Sequence, residues 1–180
     1  GMEMLAETVL LGAHNVQNIL LAVSICFYLG LTEEQVERGI QKLKAVEHRL
    51  QLLPNDNGVT VIDDAFNSNP QGTKAALTVL NQFAGRKIII TPGMVEMGSQ
   101  EEKYNKAFGE HMAQVVDIAI LIGEKRSKPM VEGLLTGGFP KEKIFIVNSL
   151  DESTAQLNRI IQRGDIILYE NDLPDHYNER

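Results

Sequence analysis

Val61-Ile62-Asp63-Asp64-Ala65-Phe66-Asn67-Ser68-Asn69-Pro70 runs from an apolar stretch into two adjacent carboxylates, an Asn/Ser/Asn cluster and a proline suited to open a helix. A strand that delivers acids and small polar groups at its C-terminal end puts them where open α/β sheets bind ligands. Two readings of these residues stand side by side. Short, directional hydrogen bonds could hold a sugar hydroxyl or a substrate amide. The same residues also make an Asx-turn followed by a helix N-cap.

Working outward from this stretch, apolar strands alternate with segments of helical periodicity. The pattern predicts strands at 49–53, 59–63, 87–91, 118–122, 143–147 and 165–169, with helices at 70–83, 99–116, 127–135 and 150–162. Short strands rich in Ile and Val, separated by helices of crossover length, argue for an α/β fold with a mostly parallel sheet covered on both faces. The turn-rich Pro54-Asn55-Asp56-Asn57-Gly58 makes the first two strands a hairpin, so the sheet is expected to be mixed.

The N-terminal part reads differently. Thr8–Leu11 is a short apolar run, expected to be a strand end stopped by Gly12. From Asn15 to Leu29, Val16, Ile19, Leu20, Val23 and Phe27 recur at helical spacing, with Asn15 suited to the N-cap and Gly30 closing the segment. Thr32-Glu33-Glu34-Gln35 forms a capping box that starts a second helix through Val36, Ile40 and Leu43. About 45 residues cannot make an independent core, so this part reads as the tail of a preceding domain, joined to the sheet by a linker at 44–48.

The 180 residues are 43% hydrophobic and 23% charged, with a formal net charge of −7. That composition is globular, and the acidic balance argues against a general nucleic-acid or anionic-membrane surface. No apolar run approaches the roughly 18 residues needed to span a membrane. The single cysteine, Cys26, lies in an apolar run and reads as a core residue; one cysteine and no leader-like segment fit a cytoplasmic protein.

Several constellations could carry chemistry. In Gly12-Ala13-His14-Asn15-Val16-Gln17-Asn18 the two asparagines share a helix face, and a carboxamide can pair with an adenine edge or merely cap and pack. Arg49, just past the linker, is either an ion-pair anchor, the commoner use, or a phosphate ligand. Pro92-Gly93-Met94-Val95-Glu96-Met97-Gly98 follows a strand as a ligand-facing loop or a tight turn. Polar groups recur after the last strand, in 170–177. Asp64, Asn67, Glu96 and Asn171 or Asp172 therefore converge on one sheet edge, the candidate site. The chain contains no Gly-x-Gly-x-x-Gly and no P-loop sequence, no metal-ligand cluster stands out, and no nucleophile–base pair follows from spacing.

Taken in order, Gly12-x-His14-Asn15-x-x-Asn18, His48-Arg49, Asp63-Asp64-x-x-Asn67-Ser68-Asn69-Pro70 and Gly93-Met94-x-Glu96-Met97-Gly98 resemble the Mur ligases, ATP-dependent amide-forming enzymes of peptidoglycan precursor synthesis. The Asp-Asp-x-x-Asn form is most similar to the branch that adds D-alanyl-D-alanine to a UDP-N-acetylmuramoyl tripeptide. The resemblance implies that residues 1–46 end a central ATPase domain and that 47–180 form a C-terminal Rossmann-like domain. It implies that Asn18 holds adenine, with His14 and Asn15 shaping that turn. Arg49 would act catalytically on the nucleotide phosphates, and Asp64 would hold the ribose. Asn67, Ser68, Asn69 and Glu96 would lie at the substrate. The implied reaction is activation of a carboxylate as an acyl phosphate, attacked by the incoming amine. ATP and Mg2+ are the implied cofactors, with the P-loop and principal magnesium ligands upstream of Gly1. The implied partners are the UDP-linked muramoyl peptide, the dipeptide and the missing domains, so this chain alone should be silent.

Two departures bear on specificity. A Lys-Gly-Ser type loop is usual after the last strand, where this chain has Glu170-Asn171-Asp172; a histidine is usual where Asn105 stands. A ligase for another amino acid or acceptor, or a non-catalytic Rossmann-like nucleotide-binding module, are the alternatives.

Overall fold

A computed structural model describes residues 4–54 and 57–172. Six strands form one sheet: β1 (Gln51–Leu53), β2 (Thr60–Asp64), β3 (Lys87–Thr91), β4 (Ile118–Ile122), β5 (Ile144–Val147) and β6 (Ile166–Glu170). Their order is β1-β2-β6-β3-β4-β5, with β1 antiparallel to β2 and every other pair parallel. The expected mixed α/β sheet and its hairpin are present. Asn55 and Asp56 of the hairpin turn, and residues 173–177 of the loop after β6, lie outside the described residues.

The helices are α1 (Ala13–Tyr28), α2 (Glu33–Gln41), α3 (Pro70–Asn81), α4 (Glu101–Met112), α5 (Glu124–Thr136) and α6 (Leu150–Ile160). In the central strands successive residues enter opposite layers, as the two-residue period requires. Ile89 packs with Leu80 of α3, Phe108 and Met112 of α4, and Met130 and Leu134 of α5. Ile88 and Ile90 pack with Leu157 of α6 on the other face. A strand apolar on both sides is driven inward by both faces, each fully buried Ile or Leu contributing about 1.5–3 kcal/mol. On the first face α4 and α5 cross at two glycines. A Cβ on Gly109 would stand 2.2 Å from the Met130 carbonyl oxygen, and one on Gly133 would stand 2.0 Å from that of Lys106.

Because β6 returns from the far edge to lie between β2 and β3, its last residues emerge between the loops that follow those two strands. Glu170 is in register with Asp64.

The N-terminal part differs from its expectation in several places. Residues 4–11 form no strand; extended chain becomes a strand only beside a hydrogen-bonding neighbour, and none flanks it among the described residues. Asn15 is not the N-cap of α1. Gly12 takes that place at φ 90°, a conformation glycine adopts without strain, and the helix therefore starts three residues earlier. Asn15 becomes its third residue, and its amide Nδ2 donates 2.8 Å to the Leu11 carbonyl. Cys26 is not core but half-buried, on a helix with no buried residue. Leu20, Leu21 and Ile25 of α1 are 60%, 65% and 53% exposed.

Two other local readings hold. Gly30 (φ 85°) ends α1 in a Schellman arrangement, with Leu31 N–H donating to the Cys26 carbonyl and Gly30 N–H to that of Phe27. The capping box of α2 is complete: Thr32 Oγ1 accepts from Gln35 N–H, and Gln35 Oε1 accepts from Thr32 N–H. The segment expected as helix 99–116 divides into a 3-10 turn at Gly98–Gln100 and α4, while α5 begins at Glu124, ahead of Ser127. Among the described residues no helix is long and apolar enough to cross a membrane.

Candidate functional site

The carboxyl edge of the sheet opens into a cleft of about 610 Å³, within the range of small-molecule sites. One wall comes from the start of α1 and the linker (His14, Asn18, Lys44); the other comes from Arg49, Asp64 and the loop into α3 (Asn67, Asn69). Asn15 lines it as well.

Asp63 and Asp64 alternate in direction at the end of β2 and do different work. Asp63 is buried; its Oδ2 meets His48 Nδ1 at 2.8 Å, and its Oδ1 accepts from Ala65 N–H in an Asx-type turn. Asp64 lines the cleft, and its Oδ1 accepts from Leu50 N–H at 3.0 Å. Burial raises the Asp64 carboxyl above its ordinary range, opposed by the Leu50 N–H and the charges of Arg49 and His14, with Asp63 adding to the rise. Between these clamps the chain is bent unusually: His48 and Leu50 adopt φ 59° and 45°, costly for residues with a Cβ. That bend is why β1 starts at Gln51, and it turns Arg49 outward. The Arg49 guanidinium stacks over the exposed ring of Phe66, 4.2 Å from its centroid, a cation–π contact.

The Asn67–Asn69 stretch is divided in the same way. Asn69 caps α3: its Oδ1 accepts from Gln71 and Gly72 N–H at 3.0 and 2.9 Å, with Pro70 at the first helical position. Ser68 points into the protein, where its Oγ donates to Glu170 Oε1, and only 5% of the residue is exposed. Asn67 is exposed on the cleft wall. Glu96 lies outside this cleft, on the turn after β3, at φ 63°.

Of the residues singled out by sequence, His14, Asn15, Asn18, Arg49, Asp64, Asn67 and Asn69 thus share one cleft, while Ser68 and Glu96 do not line it. Sequence reasoning missed Lys44 and Phe66, which carry no motif of their own. It also missed the roles of Glu170 and Asn105. Asn105, buried in α4, accepts from Met94 N–H and donates to the Met94 carbonyl, pinning the turn after β3. Among the described residues no group of three or more His, Cys, Asp or Glu could hold a metal ion.

The donors His14, Asn18, Lys44 and Arg49 facing the acceptor Asp64 suit a ligand with an anionic end, a hydroxylated middle and an amide-reading face. They fit a nucleoside polyphosphate.

Residues 48–169 match the family described as Mur ligase, glutamate ligase domain. The chain is 29% identical over 164 residues to the UDP-N-acetylmuramoyl-tripeptide–D-alanyl-D-alanine ligase of Bacillus subtilis, covering 89% of this chain and 35% of that protein. It is 27% identical over 157 residues to a UDP-N-acetylmuramoylalanine–D-glutamate ligase of Caldanaerobacter subterraneus, covering 87% and 33%. It shares its fold with the MurF ligase of Thermotoga maritima solved with ADP, at TM-score 0.75 and 21% identity over 90% of this chain and 35% of that one. The chain spans about a third of the length of the relatives it matches. By the match across most of its sheet domain, this chain belongs to the Mur ligase family.

Proposed function

We propose that this chain is the C-terminal part of an ATP-dependent amide-forming ligase of peptidoglycan precursor synthesis. In this reading residues 1–46 end a central ATPase domain, 47–180 close over it in the cytoplasm, and the enzyme adds D-alanyl-D-alanine to a UDP-N-acetylmuramoyl tripeptide. The observation that carries it is the single cleft lined from both sides of the 44–48 linker. The exposed apolar side chains of α1 support it too, since Leu20, Leu21 and Ile25 call for cover that further chain would supply.

Each residue then has a task. Asn18 reads the adenine edge, beside a turn shaped by His14 and Asn15. Asp64 takes a ribose hydroxyl, and Arg49, released from Phe66, reaches phosphoryl oxygens with Lys44 beside it. ATP supplies activation of the substrate carboxylate, and its Mg2+ would be held mainly by upstream residues. Asn67 stands nearest the incoming amine. The contribution of this chain is positioning and charge neutralisation, on which such reactions largely depend.

Phosphate release by the full-length protein against a panel of amino acids and dipeptides is the test. Arg49→Ala should lower kcat by about a hundredfold or more, and Asp64→Ala should raise the KM for ATP. Unchanged kinetics in both, or an upstream sequence without Gly-x-x-Gly-Lys-[Ser/Thr], would sink the reading. The 180-residue chain alone should show no turnover and bind ATP more weakly than about 10 μM, roughly −7 kcal/mol. A second reading is a ligase for a single amino acid such as D-glutamate. The near-equal match to the D-glutamate ligase favours it. The same panel separates the two.

A further inference from the structure

At the C-terminal end of β6, Glu170 is 1% exposed, as buried as the apolar residues around it. Its two oxygens serve different loops. Ser68 Oγ, from the loop after β2, donates to Oε1. Thr91 Oγ1, at the end of β3, donates to Oε2 at 3.2 Å, while that same hydroxyl accepts from Gly93 N–H at 3.0 Å. Asn171, at φ 64°, repeats the tie through the backbone: its Nδ2 donates to the Gly93 carbonyl at 2.6 Å, and its N–H to the Asp64 carbonyl at 3.1 Å.

A carboxylate is an expensive choice for such a place. Two buried hydroxyls on an apolar background could be bridged by an amide or another hydroxyl at lower cost. A carboxylate accepts from both loops at once, along two oxygens held a fixed distance apart.

We propose that Glu170 is a positioning residue of this ligase site, spacing the Asn67-bearing loop after β2 against the Glu96-bearing turn after β3, and so setting the gap that receives the amine-bearing substrate. This rests on the ligase reading above. Removing the bridge leaves the side-chain contacts of Arg49 and Asp64 in place, because those two side chains engage Phe66 and the Leu50 N–H and hydrogen-bond none of Glu170, Ser68 or Thr91. Its effect should therefore fall on the amine substrate and spare the nucleotide. The charged group facing Glu170 is Asp64, its register partner on β2, and the other polar neighbours are the Ser68 and Thr91 hydroxyls. Burial first, and then Asp64, raise the Glu170 carboxyl to about 7 against the pull of both hydroxyls, so the bridge changes protonation near neutrality.

Two arms test the proposal and keep its failure apart from that of the ligase reading. In this chain alone, NMR follows the Glu170 side-chain carboxyl carbon and the amides of Ser68 and Gly93 from about pH 5 to 9. All three should titrate with one midpoint, and the amide responses should vanish in Glu170→Gln. Amides that ignore the Glu170 ionisation would overturn the bridge, whatever the enzyme does. In the full-length protein, Glu170→Asp keeps the charge but is one methylene too short to reach both hydroxyls. It should lower kcat/KM for the amine substrate by about tenfold, with the KM for ATP within about twofold of the parent. Thr91→Val, which removes one arm only, should have the same direction and a smaller effect. Loss of thermal stability without that split between amine and ATP would reduce Glu170 to a structural residue and overturn the proposal. Absence of turnover in the parent with every acceptor would instead overturn the ligase reading.

Discussion

Strand β6 is bracketed by two buried carboxylates, Asp165 just before its first residue and Glu170 as its last, 2% and 1% exposed. Asp165 meets Arg86 in a two-point ion pair at 2.9 and 2.6 Å and accepts from Gln162 N–H at 2.7 Å. Burial works to raise its pKa, but Arg86 and the Gln162 N–H outweigh that and hold it below the ordinary value, while Arg86 is raised in return. Glu170 has hydroxyls for donors and a second carboxylate for its charged neighbour, and it is pushed up to about 7. The amino end of the strand pairs its buried carboxyl with a cation, while the carboxyl end meets it with two hydroxyls only. Perturbed carboxyls of the second kind mark functional edges, and those of the first kind hold folds together.

The largest test of this contrast is Arg86→Ala. It would strand the Asp165 carboxylate against the Gln162 N–H and cost about 3–5 kcal/mol, read as a lower urea midpoint at unchanged slope. Arg86 also donates to the Ile160 carbonyl at 2.7 Å, which that variant would leave short of a partner. The sign with pH follows from the lowered folded value. Asp165 stabilises fully above the unfolded pKa of 3.8 and loses that contribution as pH falls through the lower folded value. A stability within about 0.5 kcal/mol of the parent would mean that the Arg86 ion pair does not hold Asp165, and the contrast with Glu170 would collapse.

Glu170 should show the opposite slope. Its folded value lies above its ordinary 4.5, so the folded state binds the extra proton, and stability is lost as pH rises from 4.5 through about 7. Glu170→Gln carries no ionisation there. The stability difference should therefore move steadily in its favour as pH rises across that window. Parallel pH–stability curves for the two proteins would mean that folding leaves the Glu170 carboxyl at its ordinary value and that burial does not raise it.

The two ends of β6 were not equally legible. The strands announce themselves because Ile88, Ile89 and Ile90 are buried on both faces, so an unbroken apolar run carries the signal. The α2 capping box was readable because its partners lie three residues apart. Where the N-terminal part was misread, tertiary context decided: Gly12 supplied the cap assigned to Asn15, and 8–11 lacks the neighbouring strand that would define it. The convergence of Asp64 and Asn67 on one edge followed from residue type and their place at the C-terminal end of an apolar strand. Glu170 did not follow, because Ser68 is 102 residues away and Thr91 79 away, and no local pattern reports a bridge of that span.

The same division recurs on a smaller scale within Asn67-Ser68-Asn69, and it sets the smallest effects. Asn69 accepts two backbone N–H groups at the start of α3, so Asn69→Ala should cost about 1 kcal/mol. Asn67 is exposed on the cleft wall, and Asn67→Ala should stay within about 0.5 kcal/mol of the parent in urea unfolding. Its effect should appear in the full-length protein as a raised KM for the amine substrate. If Asn67→Ala destabilised the fold as much as Asn69→Ala, the loop would be one structural unit, and the separation between holding and binding would stop at Glu170. If Asn67→Ala left both stability and KM unchanged, the amine would be read elsewhere on this edge, with the Glu96 turn as the remaining candidate.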